Sequence, residues 1–155
     1  MEEPFVYSPP AQLPIVHVDK DIVVVNKPSG LLSVPGREHQ DSALTCLEQQ
    51  LGRVYDVHRL DMDTSGLLLF ALRRNAERAL KEQFRERRVS KHYVALVHGV
   101  LTEDRTIDLP LMRLDVHPPR SVVDSSGKAA QTEVKRISHD ERFSLLQLRP
   151  ITGRS

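Results

Sequence analysis

Two aspartates, an arginine and a histidine precede an apolar run in residues 57–70, whose sequence is VHRLDMDTSGLLLF. Carboxylates at such a spacing serve proteins as turn formers, as ligands of hard metal ions, or as nucleophiles and acids in catalysis. Asp61 and Asp63 are therefore the first residues of this chain to which a chemical role can be assigned. The choice among these roles depends on the residues around them.

The segment DTSG, residues 63–66, consists entirely of residues that favour turns, and a structural turn is the first alternative. A calcium-binding loop of the form D-x-D-x-S-G is the second, but its twelfth position is Leu72, where the loop requires a bidentate glutamate. A metal-dependent phosphatase could use the two aspartates as nucleophile and acid, but it needs an apolar strand directly before the first one. Because HRL makes a poor strand of that kind, the phosphatase remains a remote alternative.

A single catalytic carboxylate is the fourth interpretation. Residues two apart in an extended segment point the same way, so Arg59 and Asp61 would share one face, opposite His58 and Leu60. A guanidinium beside a carboxylate keeps the carboxylate ionised, which suits a nucleophile better than a general acid. Arg59 would also be placed to contact a phosphate or a base.

The positive charge of the chain is concentrated in one segment. The net charge is only +1, but residues 73–91 carry eight basic and three acidic residues, which leaves the remainder of the chain net negative. Such a segment predicts a surface that binds a phosphate backbone, with a solvated helix face as the structural alternative.

The composition, 39% apolar and 28% charged, is typical of a globular protein. The apolar runs are far shorter than the roughly 20 residues that span a bilayer, and MEEPFVYSPP lacks the basic start and apolar core of a signal peptide. Cys46 is the single cysteine, which excludes a disulfide framework or a thiolate zinc site within the chain. We therefore expect a cytoplasmic protein.

Hydrophobic periodicity predicts the elements that would position the charged residues. Short β-branched runs on either side of residues 19–21 predict a tight hairpin. The segment 42–52 has leucines at helical spacing, and we expect Asp41 to cap this helix and Gly52 to end it.

A second helix is predicted where apolar residues recur at i, i+4 intervals within the basic segment, at Ala76, Leu80 and Phe84. Residues 92–100 are apolar on both alternating faces, as expected of a central strand, and further strands are predicted at 130–137 and 143–148. These elements predict a single α+β domain with a mixed, mainly antiparallel sheet and a few helices. A proline-rich arm, residues 1–14, would precede this domain of residues 15–155.

The stretch HRLDMDTSGLLL closely resembles the signature of the RluA-type RNA pseudouridine synthase family. Four further segments are similar to motifs of that family and occur in the same order, which makes a chance match improbable. They are NKPSGLLSVPG (26–36), KHYVALVHG (91–99), GKAAQTE (127–133) and PITGRS (150–155). The resemblance therefore extends from about Ile15 to the last residue and implies the pseudouridine synthase fold.

The resemblance implies roles for several side chains. Asp61 would be the catalytic aspartate, Arg59 would help to hold the target nucleotide out of its stack, and Tyr93 would lie against the target base. Tyrosines on strands are also common core residues, so a packing role for Tyr93 is the alternative. Arg154 would contact RNA phosphate, and Lys27 is a weaker candidate for such a contact.

The implied reaction isomerises a uridine to pseudouridine in structured RNA, with 23S ribosomal RNA and transfer RNA anticodon stem-loops as the substrates. It transfers no electrons and adds no water, so one carboxylate is sufficient and no cofactor is expected. The target base must first leave its stack, which costs least in a loop. Asp61 could attack C1′ or act through C2′, and the sequence leaves both routes open.

We predict no metal site, since His92 and His98 would lie about 20 Å apart on an extended strand, and we predict a monomer. Family members continue beyond TGRS through another basic residue and further strands, so we expect this chain to be the N-terminal portion of the fold. A non-catalytic RNA-binding remnant of such an enzyme is the alternative function.

Overall fold

The computed structural model describes residues 6–116 and 120–153. The chain divides into two compact units, one ending at Glu86 and the other beginning at Arg87. Two helices and ten strands are described, and every strand pairing among them is antiparallel. The predicted α+β class is thereby confirmed. The division into an arm of residues 1–14 and a catalytic domain of residues 15–155 stays a prediction.

The first unit is a four-stranded sheet with two helices. Its strands follow the order β1-β2-β4-β3, and the predicted hairpin is the β1-β2 pair. The fully buried side chains of β2 and β4 form the core of this unit. The elements are β1 (Ile15–Val18), β2 (Ile22–Lys27), α1 (Ala43–Leu51), β3 (Tyr55–Asp56), β4 (Gly66–Ala71) and α2 (Arg74–Arg85).

Helix α1 is capped by Ser42, so the prediction of Asp41 as the cap is wrong by one residue. The Ser42 hydroxyl accepts a hydrogen bond from the Thr45 amide, and the Thr45 hydroxyl accepts one from the Ser42 amide at 2.7 Å. This reciprocal pair requires a spacing of three residues, which Ser42 has with Thr45 and Asp41 does not. Gly52 ends the helix as predicted, with φ at +79°.

Helix α2 packs by the predicted narrow stripe, since Ala76, Leu80 and Phe84 are each half-buried. The most buried residue of this helix is the acidic Glu77, at 9% exposure. Most of its exposed residues are charged, and the helix contacts the sheet through a few apolar side chains and through the pair of Lys81 with Asp56.

The second unit is a four-stranded sheet of order β5-β10-β9-β6 together with the hairpin β7-β8. The predicted strands at 130–137 and 143–148 are present as β9 and β10. The elements are β5 (Tyr93–His98), β6 (Arg105–Asp108), β7 (Leu111–Leu114), β8 (Arg120–Val123), β9 (Gln131–His139) and β10 (Phe143–Pro150).

Strand β5 lies at an edge of this sheet within the described residues, not at its centre as predicted. Val94 and Leu96 on one of its faces are 67% and 65% exposed. Apolar residues at both odd and even positions show that both faces of a strand are apolar, but they carry no information on the number of neighbouring strands.

No helix within residues 6–116 or 120–153 is long and apolar enough to cross a membrane.

Candidate active site

The loop that joins β3 to β4 carries Arg59 and Asp61, and a buried serine holds its backbone by hydrogen bonds. Ser33 Oγ donates a hydrogen bond of 2.6 Å to the Leu60 carbonyl and accepts one of 3.0 Å from the Leu60 amide. Ser33 and Leu60 are 3% and 7% exposed. Because both backbone groups of Leu60 bind one buried hydroxyl, the residues on either side of it have a defined position.

Asp61 begins a turn that the NKPSG segment holds in place. The Thr64 amide donates to the Asp61 carbonyl at 3.1 Å, and the Gly30 amide donates to the Met62 carbonyl at 2.9 Å. Ser29 Oγ donates to the Asp63 carbonyl at 2.8 Å. The turn interpretation and the carboxylate interpretation are therefore compatible, because the turn uses backbone groups and leaves the carboxylate of Asp61 available.

The charged side chains of this loop face solvent. Arg59, Asp61 and Asp63 are all exposed. No hydrogen bond or ion pair joins Arg59 to Asp61 within the described part of the chain, although both belong to the loop between β3 and β4. The site therefore consists of an accessible carboxylate on an anchored backbone, with a guanidinium two residues away.

Lys27 is the buried cation of this site, and its burial leaves it a structural role in place of the predicted contact with RNA phosphate. It is 0% exposed, and its ammonium donates to the carbonyls of Leu31 at 2.6 Å, Met62 at 2.9 Å and Pro28 at 3.0 Å. Burial lowers the pKa of Lys27 below its usual value, while the charges of Asp63 and Asp61 oppose that shift. The ammonium therefore supports both aspartates electrostatically and holds the turn between them through Met62.

A signal for the burial of Lys27 was present in the sequence. Val23, Val25 and Lys27 alternate along β2 and all three are 0% exposed. A strand places such residues on one face, so Lys27 extends a buried apolar face by one position. A lysine at that position requires carbonyl or carboxylate partners, which the loop supplies.

His58 connects the loop to two neighbouring elements. Its Nε2 accepts a hydrogen bond of 3.1 Å from the Leu69 amide in β4, so the proton of the neutral ring lies on Nδ1. The ring also stacks on Phe84 of α2 with 4.7 Å between the ring centres and 21° between the planes. His58 therefore fixes the start of the loop, a role that no pattern in the sequence indicates.

The other two predicted site residues lie elsewhere in the chain. Tyr93 is the half-buried first residue of β5 in the second unit and pairs with Leu148 of β10. Arg154 lies outside the described residues. Among residues 6–116 and 120–153, no three histidine, cysteine, aspartate or glutamate residues are grouped as metal ligands would be.

Comparisons with known proteins agree on one family. The family model described as RNA pseudouridylate synthase matches residues 21–155. The Dual-specificity RNA pseudouridine synthase RluA of Yersinia pestis is 50% identical over 146 residues, covering 91% of this chain and 71% of that protein. The protein of the same name from Escherichia coli strain K12 is 46% identical over 156 residues, covering 96% and 71%.

Two solved structures share the fold. Human RNA Pseudouridylate Synthase Domain Containing 1 matches with a TM-score of 0.78 and 28% identity over 99% of this chain. Human RNA Pseudouridylate Synthase Domain Containing 4 matches with a TM-score of 0.73 and 28% identity over 92% of this chain. The chain spans 64% and 60% of the lengths of these two structures.

Proposed function

Because the chain belongs to the RNA pseudouridylate synthase family, we propose that it isomerises a uridine of structured RNA to pseudouridine, with Asp61 as the catalytic carboxylate. The observation that carries this proposal is the geometry of the β3-β4 loop. Its backbone is anchored at Leu60, Met62 and Asp63, while the side chain of Asp61 stays exposed. A fixed and accessible carboxylate is what attack on a sugar carbon requires.

The reaction conserves atoms and electrons. The bond from N1 of uracil to C1′ breaks, the uracil turns, and C5 bonds to C1′, while the proton lost from C5 is balanced by one gained at N1. Asp61 either attacks C1′ or acts through C2′, and both routes use an ionised carboxylate close to the ribose. Arg59, two residues away and exposed, would hold the target nucleotide out of its stack.

The proposed substrates are hairpins of ribosomal and transfer RNA. This part of the proposal rests on the similarity to dual-specificity relatives and on the basic segment of residues 73–91. Tyr93 would lie against the target base and Arg154 would contact phosphate. A cytoplasmic location and a monomeric state belong to the same proposal, and neither changes the chemistry.

The test compares Asp61→Asn with Asp63→Asn in the full chain. Both variants and the parent are incubated with an anticodon stem-loop and a ribosomal hairpin, and pseudouridine is measured by chemical labelling. We expect Asp61→Asn to fold and to lose roughly 10³-fold or more of the rate, since it removes the reacting oxygen charge. Asp63→Asn should keep activity within about tenfold, because the carbonyl of Asp63 forms its structural bond.

Two outcomes would contradict the proposal. Equal activity in the parent and in Asp61→Asn would remove Asp61 from the mechanism. A parent chain that binds these RNAs without forming pseudouridine would favour the non-catalytic RNA-binding alternative. Circular dichroism of each variant separates loss of chemistry from loss of fold.

A further inference from the structure

A small basic cleft lies in the second unit. It has a volume of about 190 Å³ and is formed by the segment 87–91 and by the end of β10 with the residue that follows it. Four of its lining residues are basic and none is acidic: Arg87, Arg88, Lys91 and Arg149. A concave site whose charged lining residues are all cationic predicts an anionic occupant.

Lys91 is the residue that makes this cleft unusual. It is half-buried, and no hydrogen bond or ion pair joins its ammonium to any described residue. Burial and the nearby charge of Arg87 both lower the pKa of Lys91. A partly desolvated ammonium beside a second cation is unfavourable for the fold, and a bound anion would relieve both the desolvation and the repulsion.

The backbone at Arg87 adds a second unfavourable feature at the same place. Its φ is +59°, and it is the one residue other than glycine with a positive φ in the described chain. Left-handed backbone is disfavoured for residues that carry a Cβ, and such outliers concentrate at ligand sites. Strain and like-charge repulsion thus occur together in one five-residue segment.

A carboxylate outside the cleft pairs with one of its basic residues. Arg149 donates to Glu133 Oε2 at 3.1 Å, so its guanidinium is partly neutralised. Arg87 and Lys91 supply the uncompensated charge. The volume is below the roughly 300 to 1,000 Å³ of pockets that enclose whole small molecules, so the cleft suits a single anionic group.

We propose that this cleft binds one backbone phosphate of the RNA substrate through Lys91 and Arg87. The identity of the anion as an RNA phosphate rests on the proposed function, whereas the anion site itself rests on the geometry of the second unit. A phosphate contact of this kind positions RNA without reading its sequence.

The first experiment measures RNA affinity against salt for Lys91→Gln in the full chain. We expect hairpin affinity to fall by roughly threefold to tenfold and the slope of log affinity against log salt to decrease by about one. The loss should be equal for RNAs of different sequence. Arg142→Gln is the matched control, because Arg142 is exposed beside Phe143 at the opposite end of β10, and it should keep the parent slope.

A second variant keeps the proposal testable if Lys91→Gln fails to fold. Arg87→Asn removes the other uncompensated charge and introduces a residue that tolerates left-handed backbone. We expect the same loss of slope and an unchanged or higher melting temperature in the absence of RNA. Parent slopes in a folded Lys91→Gln or Arg87→Asn would overturn the proposal.

The source of the phosphate is decided by a separate arm with inorganic phosphate. If inorganic phosphate raises the melting temperature of the parent but not of Lys91→Gln, while RNA binding is unchanged, the cleft takes free phosphate and the RNA assignment is wrong. A parent that forms pseudouridine with slopes unaffected by Lys91→Gln overturns this inference and leaves the proposed function intact. If the parent forms no pseudouridine but Lys91→Gln lowers the salt slope of RNA binding, the proposed function is contradicted and this inference is supported.

Discussion

Lys27 lies in an environment that is unusual for a lysine, since its side chain is fully buried. A fully buried ammonium that binds three backbone carbonyls exchanges hydration for fixed dipoles. One of these carbonyls belongs to Met62, which lies between Asp61 and Asp63. The residue therefore couples the stability of the first unit to the position of the proposed catalytic carboxylate, although it is not itself exposed to substrate.

Lys27→Met should destabilise the protein by about 2 to 4 kcal/mol, because the Leu31 and Pro28 carbonyls would lose their ammonium donor inside the fold. We expect pseudouridine formation to fall as well, even at a temperature where the variant is folded. Urea unfolding monitored by circular dichroism measures the first effect and chemical labelling measures the second. The matched control is Lys20→Met, since Lys20 is exposed in the β1-β2 turn, and full activity in a folded Lys27→Met would exclude the positioning role.

Asp63→Asn should lower the melting temperature although it leaves activity largely intact. The charge of Asp63 opposes the lowering of the Lys27 pKa, so its removal leaves the buried ammonium less compensated. Thermal unfolding at pH 7 measures the effect. A melting temperature equal to that of the parent would show that Lys27 depends on its carbonyl partners alone.

At the scale of elements, α2 contacts the sheet through charged side chains as well as by apolar packing. Glu77 accepts hydrogen bonds of 2.9 Å from both Arg74 and Lys81. The guanidinium of Arg74 also lies 4.4 Å from the ring centre of Tyr55, and Lys81 lies 3.8 Å from Asp56, so both cations reach β3. Glu77 is thus the centre of the contact between the helix and the edge of the sheet.

This arrangement predicts a pH dependence of stability. Hydrogen bonding by Lys81 and then by Arg74 lowers the pKa of Glu77 below its ordinary value of 4.5, against the opposing effect of burial. A lowered carboxyl pKa contributes stability above about pH 4.5 that is lost as the pH falls through the folded-state pKa. Glu77→Gln should therefore cost about 1 kcal/mol at pH 7 and show a weaker acid dependence.

The measurement is urea unfolding between pH 7 and pH 3 for the parent, Glu77→Gln and Glu82→Gln. Glu82 forms an exposed pair with Arg85 on the same helix and is the matched control, with an expected change close to zero. Parallel acid profiles for the parent and Glu77→Gln would contradict the role assigned to this carboxylate.

For the whole molecule, the distribution of charge has a larger effect on RNA binding than the net charge has. A net charge of +1 gives little attraction for RNA, but the excess of basic residues within 73–91 supplies a local field. The segment is divided between α2 in the first unit and the cleft residues in the second. Within α2, Arg85 is paired with Glu82, whereas no ion pair joins Arg78 to another described residue.

Arg78→Glu should therefore weaken RNA binding and flatten its salt dependence, as expected for loss of a phosphate contact. The change is measured as the slope of log affinity against log salt with a hairpin RNA. Arg85→Glu is a less clean variant, because it also breaks the pair with Glu82. Lys20→Glu is the control, because it makes the same charge change in the β1-β2 turn. If Arg78→Glu keeps the salt slope of the parent, this helix is excluded from RNA binding.

The sequence determined the family and several of the elements, because both depend on local patterns, but it did not indicate β3, β6, β7 or β8. Alternation and i, i+4 spacing were sufficient for the hairpin, both helices, β9 and β10, and the ordered motifs around HRLD were sufficient for the family. Both Asp41 and Ser42 are of types that cap helices, and the feature that separates them is the three-residue spacing from Ser42 to Thr45, whose side chains and amides exchange hydrogen bonds.

Tertiary structure alone decided what supports the candidate site. The partners of Lys27 include Met62, 35 residues away, and those of Ser33 lie 27 residues away at Leu60. The edge position of β5 and the meeting of segment 87–91 with the end of β10 likewise join distant parts of the chain. A sequence pattern reports which side of an element is apolar, whereas the identity of the opposing group is fixed only when the chain folds back on itself.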